Sequence, residues 1–164
     1  MELPKRKKMR LAGYDYSQHG AYFVTICTKD RRCTLGEIVG QGLCSCRLSP
    51  TGEIVRQEIE HISAAFIGVH VDKYVVMPNH VHLILLLDGE RQGQSPCPTV
   101  GDVICAMKSV STKAANNRDG VRGRKIWQFR FHDHIIRGER EYRKIWQYID
   151  ENPQRWEKDC FFSE

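Results

Sequence analysis

The stretch VHVDKYVVMPNHVHLILLL (residues 69–87) contains two runs of β-branched, aromatic and aliphatic residues separated by Pro78 and Asn79. Such runs predict strands at 69–77 and 81–87, and the proline and asparagine between them predict a tight turn. Residues 84–87 of the second run are all aliphatic, which is typical of a strand buried on both faces. The stretch therefore predicts two adjacent strands, the second of which lies in the middle of a sheet.

Outward from these two strands, the remaining patterns alternate between strands and helices. Period-2 runs indicate strands, and apolar residues at helical spacing behind a serine, threonine or proline indicate helices. In chain order the pattern predicts a strand at 22–28, a short irregular hairpin within 35–48, a helix from Pro50, the two strands above, a helix from Thr99 to about 116, a strand at 126–137 and a helix at about 139–151.

The order of these elements contains a βαββαβ unit, which is the split-βαβ arrangement. It predicts an α+β, ferredoxin-like fold with a four-stranded antiparallel sheet and two helices on one face. The helix at 139–151 is a C-terminal addition to that unit. An added element of this kind is where a functional site can be built.

Length and composition indicate one globular domain over residues 1–164, and the basic N-terminal residues are not followed by the continuous apolar segment that a secretory signal contains. The longest apolar run, 81–87, is interrupted by His82 and is too short to span a bilayer. The seven cysteines are odd in number and irregularly spaced, which favours reduced thiols and a cytoplasmic location. The net charge of +5 permits a polyanionic partner without establishing one.

The triplet His80-Val81-His82 carries the strongest chemical signal in the predicted hairpin. Residues i and i+2 of a strand share a face, so both imidazoles project together while Val81 points into the core. Two imidazoles at the start of a buried strand are costly unless they have a partner, and a divalent metal is a natural one. An isolated pair of this kind is nevertheless more often two satisfied or exposed histidines.

The last predicted helix carries a tyrosine at the border of its apolar face. At 100° per residue, Tyr148 falls between the apolar stripe and the charged face, and Asn152 lies one turn later on the same side. A tyrosine at such a border is usually a packing residue with a hydrated hydroxyl group. Spacing alone therefore does not give Tyr148 a catalytic role.

Four segments together resemble a known family. YVVMPNHVHLI (74–84) resembles the HUH motif of single-tyrosine transposases, and more narrowly that of the REP-associated tyrosine transposases. WQFRFHDHIIR (127–137), YIDENP (148–153) and GAYFVT (20–25) fit the same family in the same order. The resemblance covers nearly the whole chain, and ordered motifs at family-like spacing are more specific than the histidine pair alone.

The resemblance implies a metal-dependent enzyme that nicks and rejoins single-stranded DNA next to hairpins through a 5′-phosphotyrosine intermediate. It implies His80, His82 and Asn152 as ligands of Mg²⁺ or Mn²⁺, and Tyr148 as the nucleophile. Members of the family recognise short palindromic hairpins and act as monomers or as homodimers, so the same is expected of this chain.

Two groups of basic residues flank the predicted metal site in sequence, and such groups contact phosphates with salt-dependent affinity. The first belongs to an N-terminal arm at 1–12, and the second surrounds the loop before the last strand. The residues predicted to contact DNA are Lys5, Arg6, Lys7, Lys8, Arg10, Lys108, Arg122, Arg124, Lys125 and Arg130.

Two other functions remain open on the sequence alone. The chain could be a domesticated relative that binds DNA hairpins without cleaving them, or a metal-dependent phosphohydrolase that uses water as its nucleophile. The joint presence of both histidines, the tyrosine and the asparagine argues against the first. A covalent protein–DNA link would separate the proposed transposase from both alternatives.

Overall fold

The structure is a computed structural model that describes residues 19–40, 46–88 and 97–162. The predicted basic arm at 1–12 lies outside the described residues, so its role in DNA binding stays a prediction. Cys44, a member of the closest cysteine pair in the sequence, also lies outside them.

The described chain forms six strands and three α-helices. Two 3-10 helices, Lys29–Arg31 and Asn152–Lys158, follow the first strand and the last α-helix. In chain order the elements are β1 (Gly20–Cys27), β2 (Gly36–Ile38), β3 (Cys46–Leu48), α1 (Pro50–Ala65), β4 (Val69–Val76), β5 (His80–Leu87), α2 (Val100–Asp119), β6 (His132–Ile136) and α3 (Glu139–Glu151).

Four strands form one antiparallel sheet in the order β4-β5-β1-β6. This is the order expected of a split-βαβ unit, and the predicted α+β, ferredoxin-like fold with an added C-terminal helix is confirmed. The prediction of a central, buried strand is also right, because β5 pairs with β4 on one side and β1 on the other. The short hairpin predicted within 35–48 is present, and its strands β2 and β3 form a separate two-stranded antiparallel sheet.

The sheet separates two apolar layers. On one face, inward residues of β1 and β5 pack against α1 and α2 in the main core, which includes Val24, Leu83, Ile59 and Ile104. On the other face, Ile84 packs with Ile136 and Ile149 in a smaller cluster under α3. The added helix therefore covers the face on which β5 presents its even-numbered side chains.

The last strand is shorter than predicted. Instead of running over 126–137, β6 covers His132–Ile136 only, and Trp127 makes a single bridge to Thr28. The segment between them leaves the sheet because the Lys108 ammonium group binds the backbone carbonyls of Gln128 and Phe129, at 2.6 and 3.0 Å. Alternation in the sequence did not reveal that a distant lysine would take these carbonyls.

Helix α2 is longer than predicted, ending at Asp119 rather than near residue 116. Its end is set by Gly120, which adopts a left-handed conformation (φ 64°) and donates its N–H to the carbonyls of Asn116 and Asn117. Thr99 is the N-cap as predicted, and forms a capping box with Asp102. The longer helix brings its last turn alongside the basic loop that follows.

Gly52, in the first turn of α1, is the most tightly enclosed of the described glycines. A Cβ atom added there would lie 1.9 Å from the carbonyl oxygen of Leu35. That carbonyl cannot easily withdraw, because it accepts a hydrogen bond from the Ser49 N–H while the Leu35 N–H binds the Pro78 carbonyl, both at 2.9 Å. We expect Gly52→Ala to lower the free energy of unfolding by roughly 3 kcal/mol, the upper end of overpacking costs.

Urea unfolding of the two proteins measures this difference. Gly20→Ala is the matched control, since a Cβ there would meet only the Tyr22 ring at ordinary distances of 3.7–3.9 Å. Its stability should change by no more than about 0.5 kcal/mol. Equal stabilities for the two variants would contradict the packing seen around Gly52.

Candidate active site

The first residues of β5 place two histidines in the layer between the sheet and α3. His80 and His82 are 0% and 1% exposed, and in the neighbouring strand they pair with Cys27 and Thr25. Val81, between them, belongs to the main core on the opposite face, as the strand period predicted. The two imidazole rings are 4.5 Å apart, centre to centre, so the histidines form one unit.

The tautomer of His80 follows from the hydrogen bonds of Asn79. The Asn79 amide nitrogen donates to the carbonyls of Arg31 (3.1 Å) and Phe161 (2.8 Å), so its Oδ1 must face the other way. That oxygen lies 2.9 Å from His80 Nδ1, which must therefore carry the proton and donate it. The Nε2 lone pair of His80 is left pointing into the site, as in metal-binding histidines whose other nitrogen is held by a neighbour.

His82 is held in the same manner by the adjacent strand. Its Nδ1 lies 2.8 Å from the hydroxyl oxygen of Thr25. Its Nε2 therefore also faces the site, where it lies 3.2 Å from the hydroxyl oxygen of Tyr148. The pairing of β1 with β5 thus orients one histidine, and the turn before β5 orients the other.

Tyr148 reaches this site from α3 with its ring edge against Phe23. The two ring centres are 6.1 Å apart and the ring planes are nearly perpendicular. The residue is 37% exposed, so its hydroxyl lies between the buried histidines and solvent. Burial, with the nearby Asp159 carboxylate, raises the pKa of the Tyr148 phenol to about 12. The phenol is therefore protonated at neutral pH.

Asn152 and Asp159 complete the cluster from the 3-10 segment after α3. The Asn152 amide nitrogen donates to Asp159 Oδ2 at 2.7 Å, which fixes the amide oxygen on the opposite side. That oxygen and His80 Nε2 are buried and have no hydrogen-bond partner among the described residues. Two buried acceptor atoms without donors are energetically costly, and a cation would satisfy both.

The imidazole and carboxylate atoms converge closely enough to hold a metal ion. One ligand atom from each of His80, His82 and Asp159 lies within 4.8 Å of the others, and Asp159 Oδ2 is 4.0 Å from His80 Nε2. Amide and carboxylate oxygens suit Mn²⁺ and Mg²⁺, and the two imidazole nitrogens make the donor set more suited to Mn²⁺ than to Mg²⁺. The residues present therefore fit a divalent cation.

Asp159 was missed by the sequence interpretation. It lies seven positions after Asn152, directly after the end of the 3-10 helix, in a stretch with no apolar period, so no spacing rule connected it with the histidines. Its other oxygen, Oδ1, accepts a hydrogen bond from the Phe161 N–H at 2.7 Å. The Phe161 ring covers His80 at 4.8 Å between ring centres, so the chain after α3 forms one wall of the site.

The buried histidines make acid stability a test of this arrangement. Burial lowers the pKa of His80 to about 4 and holds that of His82 well below the usual value near 6.5. Between pH 6.5 and 4 the unfolded chain binds more protons than the folded one. The free energy of unfolding should therefore fall as the pH is lowered through this window. In the presence of a chelator, the titration of His80 alone should lower the free energy of unfolding by about 2 kcal/mol when the pH is lowered from 7.5 to 5.

Urea unfolding at these two pH values checks the expectation. His82→Gln should reduce the pH dependence, whereas His61→Gln, which replaces an exposed histidine of α1, should leave it unchanged. Equal pH dependence in all three proteins would mean that the site histidines are not buried in the neutral form.

Four of the predicted DNA-binding residues, Lys108, Arg122, Arg124 and Lys125, line one groove beside Gln128. Gln128 donates its N–H to the carbonyl of Cys27, the residue that pairs with His80. Of these cations, Arg124 is paired with Asp119 at 2.7 Å, and Lys108 binds two backbone carbonyls. In the described part of the chain, no salt bridge or hydrogen bond involves the side chains of Arg122, Lys125 and Arg130.

Within the described ranges, none of the helices has the length and apolarity needed to cross a membrane.

No protein-family model matches the chain. An uncharacterised protein of Haemophilus influenzae is 32% identical over 172 residues, which cover 96% of this chain and 93% of that protein. The chain is also similar to a solved structure of a REP-associated tyrosine transposase bound to a REP hairpin. That match has a TM-score of 0.56 and 25% identity, and covers 87% of this chain and 73% of the other.

Proposed function

We infer that the chain belongs to the single-tyrosine transposase family, and we propose that it nicks and rejoins single-stranded DNA beside hairpins. One observation carries the proposal. The Tyr148 hydroxyl lies 3.2 Å from His82 Nε2, in the same cluster as the unpartnered atoms His80 Nε2 and Asn152 Oδ1. A potential nucleophile and potential metal ligands therefore share one site.

The proposed metal ligands are His80, His82 and Asn152, with Asp159 as a further oxygen donor. Mg²⁺ or Mn²⁺ bound there would withdraw charge from a phosphate oxygen and stabilise the charge that develops in the transition state. The protein contributes the fixed orientation of both imidazoles, through Asn79 and Thr25. In this proposal the ligand atoms are preorganised before DNA binds.

Tyr148 is the proposed nucleophile. Its oxygen attacks the phosphorus as its proton passes to Asp159 Oδ2, which accepts from the phenol. The bond from phosphorus to the 3′ oxygen breaks, and that oxygen takes a proton from water, so the products are a 5′-phosphotyrosine and a free 3′-OH. The phenol is protonated beforehand, and its hydroxyl is directed at Asp159 Oδ2 at 3.4 Å and at His82 Nε2. Because the new bond retains the phosphate ester, a 3′-OH can attack it later and rejoin the strand.

The DNA partner of the proposed reaction is a hairpin with a single-stranded flank, as in the similar transposase, which was solved bound to a REP hairpin. The cations without intramolecular partners, Arg122, Lys125 and Arg130, are the proposed phosphate contacts in the described part of the chain. Arg122 and Lys125 line one groove, where they would hold the backbone of a bound strand. The arm at 1–12 is proposed to add further contacts, in a single nuclease domain over 1–164.

Incubation of the full chain with hairpin-bearing single strands and Mn²⁺ tests the proposal. We expect a protein–DNA adduct that survives denaturant, a peptide carrying the nucleotide on Tyr148 in mass spectrometry, and a released strand that a polymerase can extend. Cleavage without an adduct would instead support the water-using phosphohydrolase. Binding without cleavage would support the domesticated hairpin-binding protein.

A further inference from the structure

Phe129 is the most exposed large apolar side chain of the described residues. It is 94% exposed, whereas the next phenylalanine, Phe162, is only 38% exposed. A phenyl ring left almost fully in water forgoes roughly 2 kcal/mol of burial free energy. It follows Trp127, which is 6% exposed and donates its indole N–H to Ser111 at 3.0 Å. The chain thus turns from the core to solvent within two residues.

The backbone at Phe129 is held in place by Lys108 of α2. The Lys108 ammonium group donates to the carbonyl of Gln128 at 2.6 Å and to that of Phe129 at 3.0 Å. Burial lowers the pKa of Lys108, so the cation has given up part of its hydration to make these bonds. On the other side, the Gln128 N–H binds the Cys27 carbonyl at 2.9 Å. The exposed ring therefore projects from a fixed backbone.

The ring lines a groove of about 660 Å³ between α2 and the segment 121–129. This volume is within the range of about 300–1,000 Å³ that is typical of ligand pockets. The walls combine apolar surface, including Trp127, with Lys113, Arg122 and Lys125. An exposed aromatic ring among cations that lack carboxylate partners matches the chemistry of a single-stranded nucleic acid better than that of a protein segment.

We propose that Phe129 stacks on an unpaired base of the DNA flank beside the hairpin, and that Lys108 positions the ring by holding its backbone. The inference rests on the proposed function for the identity of the nucleic acid. Stacking tolerates any base, since each has a flat π face, so this contact favours an unpaired nucleotide over a paired one without reading its sequence. Lys108 acts here through Phe129 and not through a phosphate.

Binding of the full chain to two synthetic probes tests the role of Phe129. One probe is a DNA hairpin with mixed-sequence single-stranded flanks, and the other is the same hairpin without flanks. Phe129→Ala should raise Kd for the flanked probe by roughly 5- to 150-fold, the range that one stacked base contributes, and should change Kd for the blunt probe less than about twofold. Phe129→Trp should restore tight binding to the flanked probe.

The matched control is Ile67→Ala, which removes another exposed apolar side chain (71% exposed), from the turn before β4. It should bind both probes as the wild type does. A flank that carries 2-aminopurine should lose fluorescence on binding wild type and should lose less on binding Phe129→Ala. If Phe129→Ala and Ile67→Ala bind the flanked probe with the same Kd, the stacking proposal is overturned.

A double-mutant cycle separates the two roles open to Lys108. If it positions the ring, Lys108→Ala should weaken flanked-probe binding strongly in the wild type and less than about twofold in Phe129→Ala. A phosphate contact would instead weaken both probes, independently of Phe129, and reduce the salt dependence. That second result would overturn the positioning role.

The adduct assay keeps this inference distinct from the proposed function. Loss of flank-dependent binding in Phe129→Ala, with no adduct formed by any protein, would sustain stacking and reject strand cleavage. A normal wild-type adduct, with Phe129→Ala binding the flanked probe normally, would reject stacking and sustain strand cleavage.

Discussion

Replacing Tyr148 with phenylalanine is expected to reduce adduct formation with hairpin-bearing single strands at least ~10³-fold, because it removes the proposed nucleophilic oxygen. The substitution keeps the ring, and so keeps the edge contact with Phe23 at 6.1 Å and the position of α3. What is lost is the hydroxyl 3.2 Å from His82 Nε2. A denaturing gel with labelled DNA measures the adduct, and binding of the uncleaved probe should stay within a few-fold of wild type.

The control for this variant is Tyr142→Phe on the same helix. It also removes one phenolic hydroxyl, which bonds to Asp72 and not to the histidines. Tyr142→Phe should form the adduct at the wild-type rate. Cys160 lies close enough to Tyr148 to raise the pKa of its phenol, which makes the Cys160 thiol an alternative nucleophile, so Cys160→Ser should also keep the adduct. An adduct that persists in Tyr148→Phe would exclude Tyr148 as the nucleophile.

The architecture could be predicted from sequence because its signals are local and repeat along each element. Alternation placed Val81 on the core side and the two histidines on the other, and four aliphatic residues marked β5 as central. Ser49 and Thr99, the N-cap residues, correctly predicted where α1 and α2 begin. The predicted length of β6 was wrong because the start of the strand depends on the bond from Lys108 to the Gln128 carbonyl. Lys108 lies more than twenty positions away from the strand.

The site was predictable only in part, for a related reason. Strand period predicted that His80 and His82 share a face, whereas their role as metal ligands, like the roles of Tyr148 and Asn152, was predicted from a resemblance. Asp159 entered only through the fold. The roles of Tyr148, Asn152 and both histidines remain predictions, whereas their proximity is a fact of the structure.

The orientation of His80 could not be predicted at all. It depends on the direction of one amide, Asn79, and that direction is set by carbonyls from Arg31 and Phe161, which are 48 and 82 positions away. No sequence pattern contains that information.

Of the cations predicted to contact DNA, Lys108 and Arg124 already have partners inside the protein, which a count of positive residues does not show.

Replacing His80 with alanine is expected to reduce adduct formation at least ~10²-fold while leaving DNA affinity within a few-fold of wild type. His80 contributes an unpartnered nitrogen to the cluster but lies fully buried, away from the exposed cations that would contact phosphates. Losing one ligand should weaken metal binding, and with it the stabilisation of charge on the phosphate in the transition state. The adduct assay in Mn²⁺, run beside a binding assay in chelator, separates the two effects.

Thermal unfolding provides a readout that does not depend on catalysis. A ligand that binds only the folded protein raises its melting temperature, so Mn²⁺ should stabilise the wild type and have little effect on His80→Ala. His70→Ala is the matched control, since His70 is an exposed histidine on the neighbouring strand β4, paired with Asp88 at 3.2 Å. It should retain both the Mn²⁺ shift and the adduct. If His80→Ala forms the adduct normally and is still stabilised by Mn²⁺, the cation is held elsewhere and the unpartnered nitrogen of His80 needs a different explanation.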